Sequence, residues 1–145
     1  MSRSDLYGMR RCACGNLRRT TRSITQFYDQ LLQPSGLRIT QFSLLLNISL
    51  HGNISVGELG AILLMDQTTV TRNIEILRKQ GYINMTKEDD DARKKSISIT
   101  ENGARKLVEA KPLWEQAQSR IEQGLGSERY HDFLKTLKDV AQIVQ

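Results

Sequence analysis

From Leu17 onward apolar residues recur at helical spacing. Leu17, Ile24, Phe27, Tyr28, Leu31 and Leu32 form one stripe, and Arg18, Arg19 and Arg22 fall on a charged face. Pro34-Ser35-Gly36 ends that helix. A second helix is predicted after Leu37, capped by Thr40 and carrying Phe42, Leu45, Leu46 and Ile48 until Gly52-Asn53 stops it. Ser55-Val56-Gly57-Glu58 has the capping-box form and opens a short helix with Leu59, Ile62 and Leu63, ending near Leu64-Met65. Asp66 caps the next helix, and Gly81 follows its basic last turn, Arg78 and Lys79, as a C-terminal stop. Two helices joined by the short turn from Leu63 to Asp66 read as a helix-turn-helix.

The period then changes. Ile83 to Lys87 and Ser96 to Thr100 alternate apolar and polar, and the polar stretch from Glu88 to Lys95 reads as the loop between them. A hairpin directly after a helix-turn-helix is a wing. Thr100 caps a long helix carrying Leu107, Val108, Trp114, Ala117 and Ile121, with a kink or local break predicted at Pro112. Gly124-Leu125-Gly126 interrupts the chain, and Ser127 caps a last helix with Tyr130, Phe133, Leu134, Leu137 and Val140. The predicted fold is mainly α with a small β-wing. It forms a single unit over 1–145: a winged helix-turn-helix core at about 38–100, flanked by dimerisation helices at about 12–33 and 101–145. A small winged core cannot cover apolar helices at both ends, so a twofold homodimer is expected.

Charge gives this architecture a partner. Among 145 residues, 21 Lys and Arg against 16 Asp and Glu leave a net charge of +5, which suits a polyanion. The polar, basic segment 1–11 has no apolar core of a secretory signal, and no apolar run approaches the ~20 residues of a membrane span. Two cysteines two residues apart are no secreted disulfide framework, so a cytoplasmic protein without membrane contact is expected. No glycine-rich phosphate loop, metal-ligand spacing or nucleophile-base motif is evident; neither an enzyme, a cofactor nor a metal is expected.

On the helix after Asp66, Val70, Ile74 and Leu77 share one face, and Thr68, Arg72, Glu75 and Lys79 project from the other. An apolar side seated on its own domain and a short polar, cationic side exposed is what groove reading requires. The candidate DNA contacts are Ser55, Gln67, Thr68, Thr69, Thr71, Arg72 and Lys79, with Arg93, Lys94 and Lys95 on the wing. Arg72 can fork to a guanine or a phosphate. The run Glu88-Asp89-Asp90-Asp91 has the wrong sign for phosphate. Either Asp91 orients Arg93, or the run is a solvated turn; a hard-cation loop would need a turn glycine that is missing. A winged helix used only for protein contacts is the alternative function, and it would call for an apolar exposed face in place of Thr, Arg and Lys.

The chain resembles the MarR (multiple antibiotic resistance regulator) family from about Leu17 to the C-terminus. The resemblance rests on Ser55 to Leu59, Asp66 to Arg72, Leu77 to Ile83, and Asp91-Ala92-Arg93 followed by Ile99-Thr100-Glu101-Asn102-Gly103. It implies a transcriptional regulator, a repressor, that binds a pseudo-palindromic operator as an obligate dimer. The helix Gln67 to Gln80 would enter the major groove and Arg93 the adjacent minor groove. It also implies control by a small aromatic or phenolic effector or by thiol oxidation. For an effector, Arg18 and Arg22 are candidate anion partners, with Phe42 and Trp114 as apolar walls. Cys12 and Cys14 carry three open readings: no sensing role, a redox sensor favoured by Arg10, Arg11, Arg18 and a helix N-terminus, or a soft-metal pair without a supporting His.

Overall fold

A computed structural model describes residues 2–88 and 91–145, excluding the side chains of residue 88 and residues 91–94. The chain is helical sooner than the pattern predicts. In α1 (Arg3–Met9), Ser2 Oγ accepts the Asp5 N–H at 3.2 Å and Asp5 Oδ2 accepts the Ser2 N–H at 2.8 Å, a reciprocal cap. Seven residues with no apolar repeat carry no periodic signal. Helix α2 (Ala13–Leu32) follows, and a 3₁₀ turn at Gln33–Ser35 ends it on Gly36, whose φ of 76° suits a residue without a Cβ.

Helix α3 (Ile39–His51) begins one residue before the expected cap Thr40, which lies inside it. Arg38 occupies the N-cap position, and its N–H donates to Gln41 Oε1 at 3.1 Å. The Ile39 N–H donates to Asp29 Oδ1 of α2 at 2.8 Å. A carboxylate from the preceding helix does the capping, which no local motif reports. Along α3 the buried residues include Leu44, Leu45 and Ile48, whereas Leu46 faces out at 40% exposure.

A two-residue strand β1 (Ile54–Ser55) leads into α4 (Val56–Leu63) through the expected box: the Ser55 N–H donates to Glu58 Oε2 at 2.9 Å and the Glu58 N–H to Ser55 Oγ at 3.1 Å. Leu64 turns the chain in the left-handed region at φ 50°. Helix α5 (Gln67–Lys79) then starts on Asp66, whose carboxylate accepts the Thr69 N–H at 2.9 Å and the Thr69 hydroxyl at 2.7 Å. The Thr69 hydroxyl and then its N–H hold the Asp66 carboxyl below the usual carboxylate range. A lowered folded pKa contributes stability above the unfolded pKa, and that stability is lost as pH falls through the folded value. Asp66→Ala should therefore lower the urea midpoint at about pH 7 and match the wild type once the wild-type Asp66 carboxyl is protonated in the folded and unfolded states alike, at about pH 2. Equal midpoints at neutral pH would remove the cap.

Strands β2 (Ile83–Glu88) and β3 (Asp91–Ile99) are antiparallel, and the sheet order is β1-β3-β2. Ile83 faces Ile99, Met85 faces Ile97 and Lys87 faces Lys95. The polar stretch expected as a loop is therefore mostly strand, with β3 beginning at Asp91. Alternation marks only the half-buried part of this ladder; at its outer end the paired Lys87 and Lys95 are polar and exposed, and the backbone pairing continues without an apolar signature.

Helix α6 (Glu101–Leu125) runs through Pro112 without the predicted break. Buried Ala110 before it, and Leu113 and Trp114 after it, hold the helix on the core across the missing hydrogen bond. Gly126, with φ 85°, takes the N-cap position of α7 (Ser127–Val144), so Ser127 is the first helical residue and not the cap. The core gathers Leu32, Leu44, Leu45, Ile48, Leu59, Val70, Ile74, Leu77 and Ile97 at 0–1% exposure. Helix α7 adds no buried residue to it.

Candidate nucleic-acid interface

Helix α5 is fixed to the body by Val70, Ile74 and Leu77, which are buried, and this points its other face outward. Gln67, Thr68, Thr71, Arg72 and Lys79 are exposed on it. Arg72 has no hydrogen-bond or ion-pair partner among the described residues, so its five N–H donors are uncommitted. Two expected contacts have structural duties: Thr69 donates its hydroxyl to Asp66, and Ser55 accepts the Glu58 N–H.

Glu75, on the same outward side, is held by Arg78, whose Nε donates to Oε2 at 2.9 Å and Nη2 to Oε1 at 2.6 Å. Those hydrogen bonds, and behind them the charges of Lys79 and Lys95, keep the Glu75 carboxyl below the usual range. Between α5 and the stem of the wing runs a cleft lined by Thr71, Glu75, Arg78, Met85, Lys87 and Lys95. Lys95 is exposed on β3. The expected roles of Arg93, Lys94 and the orienting Asp91 fall on side chains outside the described residues; their backbone belongs to β3. Arg78 and Lys87 were not among the expected site residues, because only the strand register places Lys87 beside Lys95 and α5.

Thr100 fastens this assembly to the rest of the fold. Its hydroxyl donates to the Gly81 carbonyl at 2.6 Å and accepts the Gly103 N–H at 3.0 Å, and its N–H donates to the Tyr82 carbonyl at 3.0 Å. One residue joins the end of α5, the end of the wing and the start of α6.

The expected effector residues separate into two places. Phe42 and Trp114 stack in the body of the fold, centroids 6.0 Å apart at 14°. Arg18 and Arg22 line a surface groove on α2 with Cys14, Leu17, Val140 and Val144. Neither ring lines the Arg18–Arg22 groove; the Phe42 and Trp114 faces cover one another instead. Cys12, in the N-cap position of α2, and Cys14 are both exposed free thiols. A neighbouring apolar crevice between α2 and α7 is lined by Leu17, Ile24, Tyr28, Phe133, Leu137 and Val140. At its inner end the Tyr28 hydroxyl donates to Gln118 Oε1 at 2.8 Å, and Gln118 Nε2 donates to the Tyr130 hydroxyl.

Among the described residues, no cluster of three His, Cys, Asp or Glu is placed to hold a metal, and no helix is long and apolar enough to cross a membrane. Residues 37–95, the segment holding helix-turn-helix and wing, match the MarR family. The M. tuberculosis transcriptional regulator MosR, solved in complex with DNA, is 37% identical with a TM-score of 0.79, and the match covers 92% of this chain and 98% of that one. Two shorter matches are at 31% identity: the regulator SarZ of Staphylococcus saprophyticus, over 58% of this chain and 58% of its own length, and the organic hydroperoxide resistance transcriptional regulator of Bacillus subtilis, over 63% and 62%. With a near full-length likeness above 30% identity and the family match centred on α5 and the wing, the chain belongs to the MarR family of winged-helix transcriptional regulators.

Proposed function

We propose that this chain is a sequence-specific DNA-binding repressor that acts in the cytoplasm as a homodimer on a pseudo-palindromic duplex. The outward face of α5 carries the reading: Arg72 stands unpartnered among the described residues on a helix whose opposite side is locked into the core. A recognition helix so mounted enters the major groove while the wing lies on the adjoining backbone. The DNA in the MosR complex supports the reading, because that regulator matches this chain through helix-turn-helix, wing and terminal helices. The whole of 1–145 acts as one unit, with α2, α6 and α7 forming the twofold contact. Symmetric partners require symmetric half-sites.

Oxidation of Cys12 or Cys14 lowers DNA affinity in this reading. Both thiols are exposed, and the B. subtilis relative is named for organic hydroperoxide resistance. A thiolate takes one oxygen from the hydroperoxide, which leaves as the alcohol.

The test is a fluorescence-anisotropy titration of a duplex selected from the source genome against a scrambled duplex. Arg72→Ala should weaken the selected duplex by about 1–3 kcal/mol and hardly change the scrambled one. Equal losses on both remove Arg72 as a reader. Cumene hydroperoxide should weaken binding by the wild type and leave Cys12→Ser/Cys14→Ser unaffected; an equal response removes the thiols.

A further inference from the structure

Register places Lys87 of β2 directly opposite Lys95 of β3. Like charges at facing strand positions repel, so this pair costs stability unless an anion joins it. Both lysines are exposed, and neither side chain forms a hydrogen bond or salt bridge among the described residues. They line the cleft against α5 with Arg78, Thr71 and Glu75, so its described side chains carry three cations against one carboxylate. That carboxylate is already occupied. Arg78 spends two N–H donors on Glu75 and keeps three, two on Nη1 and one on Nη2. Glu75 thus fixes the Arg78 fork by one edge and leaves its other edge free. The apolar lining of the cleft, Val56, Ile74 and Met85, offers no side-chain acceptor for these cations.

We propose that the cleft between α5 and the wing stem is a backbone seat, in which Lys87, Lys95 and the free edge of Arg78 hold one phosphodiester of duplex DNA. It rests on the DNA-binding reading above and adds to it the path of the strand. A strand running from the groove read by α5 to the groove met by the wing must pass between these two elements. A phosphodiester brings one negative charge and two non-bridging oxygens to a site with excess positive charge and uncommitted donors. Arg78 and Lys87 contribute affinity here, not sequence preference.

The experiment uses the full chain and a fluorescein-labelled random-sequence 30-base-pair duplex titrated between about 50 and about 200 mM salt. Lys87→Gln should weaken binding and reduce the log–log salt slope by about one. The wild type's advantage should then shrink about three- to fourfold across that salt range. Lys135→Gln on α7 removes the same charge far from the cleft and should leave the slope unchanged. Arg78→Gln should reproduce the Lys87→Gln slope. If Lys87→Gln and Lys135→Gln share the wild-type slope while the wild type binds, the seat is wrong and the DNA-binding reading stands. If the wild type itself fails to bind at the lowest salt, both are overturned.

Discussion

Gly103→Ala should be the most damaging single methyl added to this protein. A Cβ at position 103 would fall far inside contact distance of the Tyr82 carbonyl oxygen and 2.8 Å from Ile99 Cγ1. Neither neighbour can withdraw cheaply. The Tyr82 carbonyl accepts the Thr100 N–H at 3.0 Å, and Ile99 is paired with Ile83 in the ladder. Relief requires the first turn of α6 to lift away, which also breaks the bond from Thr100 to Gly81. Overpacking of this kind costs about 3 kcal/mol or more. For a chain of this size that lowers the melting temperature by roughly 6–12 °C. The check is a thermal melt followed by circular dichroism, with Gly124→Ala as control, since a Cβ at Gly124 meets nothing within 4 Å. Indistinguishable melts for the two variants would overturn the close packing of α6 on Tyr82.

The second large effect concerns the proposed twofold contact. Helix α7 has no fully buried residue in the single chain, and Phe133 and Leu134 are 37% and 46% exposed along the crevice it forms with α2. Leu137→Asp should give folded monomers. In an isologous interface each substitution counts twice, and burying an unpaired carboxylate in place of leucine costs several kcal/mol at each copy. Even about 2 kcal/mol per copy raises the dimer dissociation constant close to a thousandfold. Because α7 supplies no core residue, helical content measured by circular dichroism should be retained. Leu134→Ala, a smaller change on the same face, should shift the equilibrium without abolishing it. Light scattering that finds the wild type monomeric at micromolar concentration, or Leu137→Asp still dimeric, would remove the assigned interface.

What the sequence disclosed depended on how local the cause was. Ser55 with Glu58, Asp66 with Thr69, and Thr100 with Gly103 are caps made within four residues, and each element start they mark is where the pattern places it. Thr40 and Ser127 failed as caps because the true partners are Asp29, ten positions before Ile39, and a glycine that needs no side chain. The two-residue β1 and the outer part of β3 had no legible signal: one is too short for a period, and the other, Asp91 to Lys95, has no apolar-polar alternation in its sequence. The outward face of α5 was readable because its buried face is periodic. The grouping of Arg78, Lys87 and Lys95 was not, since a strand register and a helix rotation together determine it. The separation of Phe42 and Trp114 from Arg18 and Arg22 was equally hidden; each residue type suited a ligand wall, and only packing shows that the two rings face each other.

Helix α6 is 25 residues long, a rod of about 37 Å. Its first residue is bound through Thr100 to the turn that ends α5, and Gln118 on its far half is bound to both Tyr28 and Tyr130. In the proposed dimer that rod is the strut between the seam and the reading head. A tilt of about 5° about its C-terminal end swings its N-terminus by about 3 Å. One base step along the duplex rises about 3.4 Å. In that proposed dimer the stiffness of α6 gauges the distance between the two reading heads to within about one step. Angular play at the Tyr28–Gln118–Tyr130 joint becomes a change of phase along the DNA.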